Sequence, residues 1–376
     1  MTRTRSFRPL RAGILAAAST MVLAPGSLWT QNLDDAAVKL AVSSRVAALG
    51  ATGEFSGIVI AARGTAHLAV VTAGYADRAR KVPFTPATRF TVGSLGKMFT
   101  AAAIGQLVDR GTVSFEDVVG RFFPDYPNAT VRSRVTVGML LSHTGGLGDF
   151  LARRTPAMMT AGVQRAAEFM PLYAGDEPAF APGTKWAYSN AGLALAGAIV
   201  EKASGESYPE YLRAHVFRLA GMTDSDPNNI PRADPRVVVP YTKEADRGQI
   251  ASWPEAPRDI GSPAGGAIST ADDLVRFADA LRGGRLVSRD TFQKMVAPHG
   301  TTPRGSRYGY AMEIATESGR TIVGHGGGFP GVSTHLYIVL DSPYTVVALA
   351  NQDPPAAESG AALARTLLIQ LAVQAK

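Results

Sequence analysis

The chain has 376 residues, 46% of them hydrophobic, enough for one large globular domain or two ordinary ones. Its formal charge is +7, but Arg3, Arg5, Arg8 and Arg11 carry four of those charges and no acid accompanies them in the leader, which leaves +3 spread singly over the rest. With no basic run interleaved with aromatics, this composition argues against nucleic acid as a partner, and the absence of cysteine excludes a disulfide framework, thiol catalysis and cysteine-ligated zinc.

In chain order, the basic "MTRTRSFRPLR" is followed by the apolar "AGILAAASTMVLA" and then by Pro25, Gly26 and Ser27. That is signal-peptide anatomy over residues 1–30, and it predicts a periplasmic or secreted protein. The apolar run falls short of the roughly 20 residues a spanning helix requires. No later run is longer, so no stable membrane span is expected. "LDDAAVKLAVSSRVAAL" has helical spacing, and "FSGIVIAARGTAHLAVVTAGYA" reads as two strands turning at Arg63-Gly64.

The stretch from Phe90 to Gly111 reads as an amphipathic helix, with Ser94, Lys97, Met98, Ala101, Ile104, Gly105 and Val108 on one arc. A lysine therefore sits in an apolar stripe. The positions three and four residues from it are Gly93, Ser94, Thr100 and Ala101, so no local ion pair accounts for it. Helical stretches and Pro/Gly-rich loops follow, including helices over Ala191–Ala203 and Ala271–Leu281. Then come four strand candidates, "RYGYAMEIA", "RTIVGHGGG", "STHLYIVL" and "YTVVALANQ", and a closing helix, "AAESGAALARTLLIQLAVQ". Two early strands and four late ones make one sheet of ordinary size with terminal helices to cover it. The spacing thus predicts a discontinuous α/β domain of residues 32–92 and 300–376, with residues 93–299 inserted as a mostly helical domain.

Three groups have the residue types for chemistry: Ser94 with Lys97, Tyr188 with Asn190 in "PGTKWAYSNAG", and His325 followed by Gly326, Gly327 and Gly328 in "VGHGGGFPG". Each alone has a plain structural explanation as a cap, a snorkelling lysine or a tight turn. An α/β-hydrolase is set aside because no GxSxG elbow occurs and "HGGG" comes after every plausible nucleophile. Gly326, Gly328 and Gly331 satisfy GxGxxG, yet a strand follows and Pro330 interrupts, which argues against a dinucleotide site. His143 has no second histidine at metal spacing, so a structural role is expected, with no metal and no cofactor.

In combination and in this order, the groups resemble the SxxK, YxN and KTG-like or HxG motifs of the serine β-lactamase and penicillin-binding-protein superfamily, in its class C β-lactamase, D,D-carboxypeptidase and family VIII esterase branch. "LLSHTGGLGDF", "FAPGTKWAYSN", "LAGMTDSD" and "PAGGAISTADDLVRFADAL" are similar to further segments of that family, so the resemblance spans about residues 40 to 375. It implies an α/β (α+β) fold of the β-lactamase/transpeptidase type: an antiparallel sheet flanked by N- and C-terminal helices, with a mostly helical insertion. It also implies a serine hydrolase that works through a Ser94 acyl-enzyme. Lys97 would be the base, its pKa depressed by burial. Tyr188 would share the proton shuttling, and Asn190 would bind substrate and Lys97. The backbone N–H groups of Ser94 and Gly328 would receive the oxyanion, beside His325, Gly326 and Gly327.

Substrates in such a site would be small esters, D-amino-acid peptides or amides, or β-lactams. The alternative is a D-alanyl-D-alanine carboxypeptidase-like penicillin-binding protein, or a penicillin-binding sensor that does not turn over. Oligomeric state is left open. In one departure from the family, His325 and Gly326 replace the lysine and threonine of KTG. This removes a permanent cation and a hydroxyl that would grip a carboxylate. An imidazole titrating near 6.5 predicts that anionic substrates lose rate, relative to neutral ones, as pH rises through that value. Gly145 stands where the family usually has serine.

Overall fold

A computed structural model of the protein describes residues 33–153, 165–227, 234–246, 249–252 and 262–375. The expected signal peptide lies outside these. The five long helices among the described residues are α1 (Asp35–Ala51), α2 (Lys97–Asp109), α3 (Asn190–Ser204), α4 (Ala271–Arg282) and α5 (Ala356–Gln374). The strands are β1 (Gly57–Arg63), β2 (Ala66–Ala73), β3 (Phe90–Thr91), β4 (Tyr241–Asp246), β5 (Gln249–Ser252), β6 (Ile268–Ser269), β7 (Gly300–Thr301), β8 (Arg307–Tyr308), β9 (Glu313–Glu317), β10 (Arg320–Phe329), β11 (Val332–Val339) and β12 (Tyr344–Ala350).

The main sheet is antiparallel, with strand order β2-β1-β12-β11-β10-β9-β8-β7. The N-terminal hairpin therefore pairs with the last strand, with Ile58 opposite Leu349 and Ile60 opposite Val347. Side chains alternate between faces, so β1 sends Val59 and Ala61 to one side and Ile58, Ile60 and Ala62 to the other. The first side is covered by α1, through Val38, Val42, Val46 and Leu49, and by α5, through Leu367 and Leu368. The second carries α4 and the remaining helices. Both faces being covered, the strand reads as a continuous apolar run rather than an alternating one. The described residues from Leu33 on pack as one compact unit.

Two local expectations change. "RYGYAMEIA" is two strands, β8 and β9, because the chain turns between them with Ala311 at φ +55°. With the short β7, this brings the sheet to eight strands. Helix α2 is not amphipathic in place: every residue from Lys97 to Leu107 is buried. Its other arc is covered too: Gln106 there donates to the His215 carbonyl at 2.6 Å, and Phe99 meets Phe217 and Phe277 edge to face at 5.0 and 4.8 Å.

Candidate active site

Strand β3 pairs with β6, and the Val92 amide donates to Ala267 O at 2.9 Å, which anchors the entry to α2. Gly93 at φ +56° then turns the chain into a 3-10 turn, Gly93–Gly96, that runs straight into α2. Ser94 lies on that turn and Lys97 one turn further on. Their side chains meet, with Lys97 Nζ 3.1 Å from Ser94 Oγ. Lys97 is 0% exposed. Its amine also donates to Asn190 Oδ1 at 2.8 Å and to the Ala264 carbonyl. Burial lowers its pKa to about 7, against the opposing pull of Asp149.

Ser189 caps α3, its Oγ accepting the Gly192 amide at 2.8 Å, and its extended backbone sets Tyr188 just ahead of the helix. Tyr188 donates its hydroxyl to Ser94 Oγ at 2.7 Å, with Lys97 Nζ 4.7 Å from the ring centroid. The residue is 40% exposed, yet desolvation raises its phenol above the ordinary range, so it stays protonated at neutral pH. Asn190 opens α3 and points its amide oxygen at Lys97, while its Nδ2 donates to Asp149 Oδ2 at 2.9 Å.

Gly326, Gly327 and Gly328 lie on β10, opposite His335, Thr334 and Ser333 of β11. A Cβ at Gly327 would stand 2.1 Å from Val92 O and 3.0 Å from Ser94 N. Only glycine lets these two backbones approach, and the approach brings Gly327-Gly328 alongside the Ser94 amide. A neighbouring N–H pair in this geometry is what an oxyanion hole requires.

His325 departs from expectation. It is 5% exposed, with Nε2 3.0 Å from Tyr308 Oη and Nδ1 against Gly326 O. Burial, with Lys97 nearby, lowers its pKa to about 3. The imidazole is therefore neutral throughout the range in which it was expected to titrate, because desolvation outweighs the ordinary value near 6.5.

The motifs missed four participants. Asp149, Ala264, His143 and Tyr308 meet the site through contacts spanning many residues, 167 in the case of Lys97 and Ala264. Asp149, His143 and Ala264 do fall in segments that carry the family resemblance. Among the described residues no group of side chains is arranged to hold a metal, and no helix is long and apolar enough to cross a membrane.

Residues 42–371 match the family described as Beta-lactamase. A penicillin-binding protein of Bacillus subtilis (strain 168) is 30% identical over 323 residues, which cover 81% of this chain and 70% of that one. A D-aminopeptidase of Cereibacter sphaeroides is 25% identical over 305 residues; the match covers 77% of this chain and 55% of the relative, little more than half its length. The crystal structure of a penicillin-binding protein from Bacillus halodurans superposes with a TM-score of 0.72 at 28% identity, covering 89% of this chain and 100% of that one.

Proposed function

The chain belongs to the beta-lactamase family of serine hydrolases, and from that premise we propose that it hydrolyses small neutral esters and the amides or short peptides of D-amino acids through a Ser94 acyl-enzyme. Two groups converging on one hydroxyl carry the reading: Lys97 Nζ at 3.1 Å and Tyr188 Oη at 2.7 Å from Ser94 Oγ. Lys97, neutral above about pH 7, takes the Ser94 proton as Oγ attacks the acyl carbon. The oxyanion forms against the Ser94 and Gly328 amides. Tyr188, still protonated, gives its proton to the leaving group and is resupplied from Lys97. Water then enters by the reverse route and frees Ser94.

Two observations support the substrate class. A neutral His325 stands where a lysine would grip a carboxylate, which favours acyl groups without one. A D-aminopeptidase is among the relatives, which favours D-amino-acid derivatives. The basic-then-apolar leader supports export to the periplasm or medium.

Intact-mass spectrometry with a fluorophosphonate tests the nucleophile: one adduct is expected, absent in Ser94→Ala. Turnover of a nitrophenyl ester and a D-amino-acid amide should exceed that of a cephalosporin. An adduct on another residue, or a single stoichiometric burst with every substrate, overturns the reading.

A further inference from the structure

Behind the site runs a buried chain of hydrogen bonds whose direction is fixed at both ends. The Ser189 amide donates to His143 Nδ1 at 3.1 Å. His143 Nε2 lies 3.1 Å from Tyr308 Oη, which lies 3.0 Å from His325 Nε2, and His325 Nδ1 meets Gly326 O. A backbone N–H only donates, so His143 Nδ1 carries no proton; a backbone carbonyl only accepts, so His325 Nδ1 carries one. Burial keeps both imidazoles neutral. His143 therefore donates from Nε2 to Tyr308, and Tyr308 donates its single proton to His325. All four ring nitrogens and the phenol proton are engaged, and no second arrangement satisfies both ends. His143 is held at φ +62°, an uncommon backbone conformation for a residue with a side chain.

The two ends matter because of their neighbours. Ser189 lies between Tyr188 and Asn190, and Gly326 begins the glycine run that passes the Ser94 amide. We propose that His143 and Tyr308 are positioning residues for acyl transfer, holding the Tyr188 segment in register with the β10 strand. Both are buried, at 1% exposure, and so act through their neighbours. This rests on the Ser94 reading above.

Tyr308→Phe removes the central link and keeps the ring. Its kcat should fall about ten- to a hundredfold with KM little changed, because misplacement of groups that act in the transition state lowers kcat. His143→Leu should fall alike, and the double variant no further, since the chain is already cut. His143→Gln keeps a donor near the Nε2 position for Tyr308 and should lose less rate than His143→Leu. In protein labelled with 15N-histidine, NMR should find His143 as the Nε2–H tautomer and His325 as the Nδ1–H tautomer. Tyr308→Phe with wild-type kcat, a rise in KM alone, or one shared tautomer overturns the positioning role. A wild type that forms no Ser94 adduct overturns the function itself, and the role with it.

Discussion

Lys97 reaches Asn190 Oδ1 and the Ala264 carbonyl, two groups that can only accept, while its third contact is Ser94 Oγ. A neutral amine has two hydrogens and one lone pair. With both hydrogens taken by fixed acceptors, the lone pair is left facing the Ser94 hydroxyl, the orientation a base requires. Once the amine is protonated, that orientation is lost.

Rate should therefore depend on pH with a definite sign. As pH falls through about 7, Lys97 takes up a proton and kcat/KM should drop roughly tenfold per unit. Asp149 favours the ammonium form, so Asp149→Asn should move the inflection to lower pH. A pH–rate profile of the two proteins decides it; an inflection unmoved or moved upward would refute the electrostatic link.

Burial of Lys97 should also be visible in stability. Its pKa is about 7 in the folded chain and 10.5 when exposed, so between those values the unfolded chain binds the extra proton. Wild-type stability should gain about 1.4 kcal/mol per pH unit across that window, and lose it as pH falls back. Lys97→Met lacks this dependence. Denaturant unfolding of the pair at pH 7 and pH 9 should show wild type gaining on the variant. Lys97→Arg should stay inactive, because a guanidinium remains protonated.

The neutral state of His325 changes what its titration can do. The ratio of kcat/KM for a matched acid and methyl ester should show no His325-linked step between pH 5.5 and 8.5. Comparison with His325→Gln checks this: a step near pH 6.5 present in wild type and absent in the glutamine variant would restore the carboxylate-anchor role.

Export is tested by expression in a Gram-negative host with the leader intact. The protein should appear outside the cytosol with a shortened N-terminus. Full-length protein retained in the cytosol would count against it.

The sequence by itself determined much of this protein, because the signals concerned are local. The i, i+3 spacing of Ser94 and Lys97 sets their side chains together on any helix-like turn, and the structure does so at 3.1 Å even though the turn at Ser94 is 3-10. The N-terminal hairpin, α3, α4 and α5 follow from periodicity and punctuation that need no distant partner. Only the tertiary structure decided the protonation states. The lysine's depressed pKa, expected from one apolar stripe, comes from burial of α2 on every side. His325 was expected to titrate near 6.5 and does not, because desolvation, with Lys97 nearby, outweighs the Gly326 carbonyl that favours its protonated form, and Tyr308, 17 residues away, takes its other nitrogen. No spacing rule reports which carbonyl or hydroxyl a folded chain brings to a buried imidazole, and desolvation depends on atoms from the whole fold.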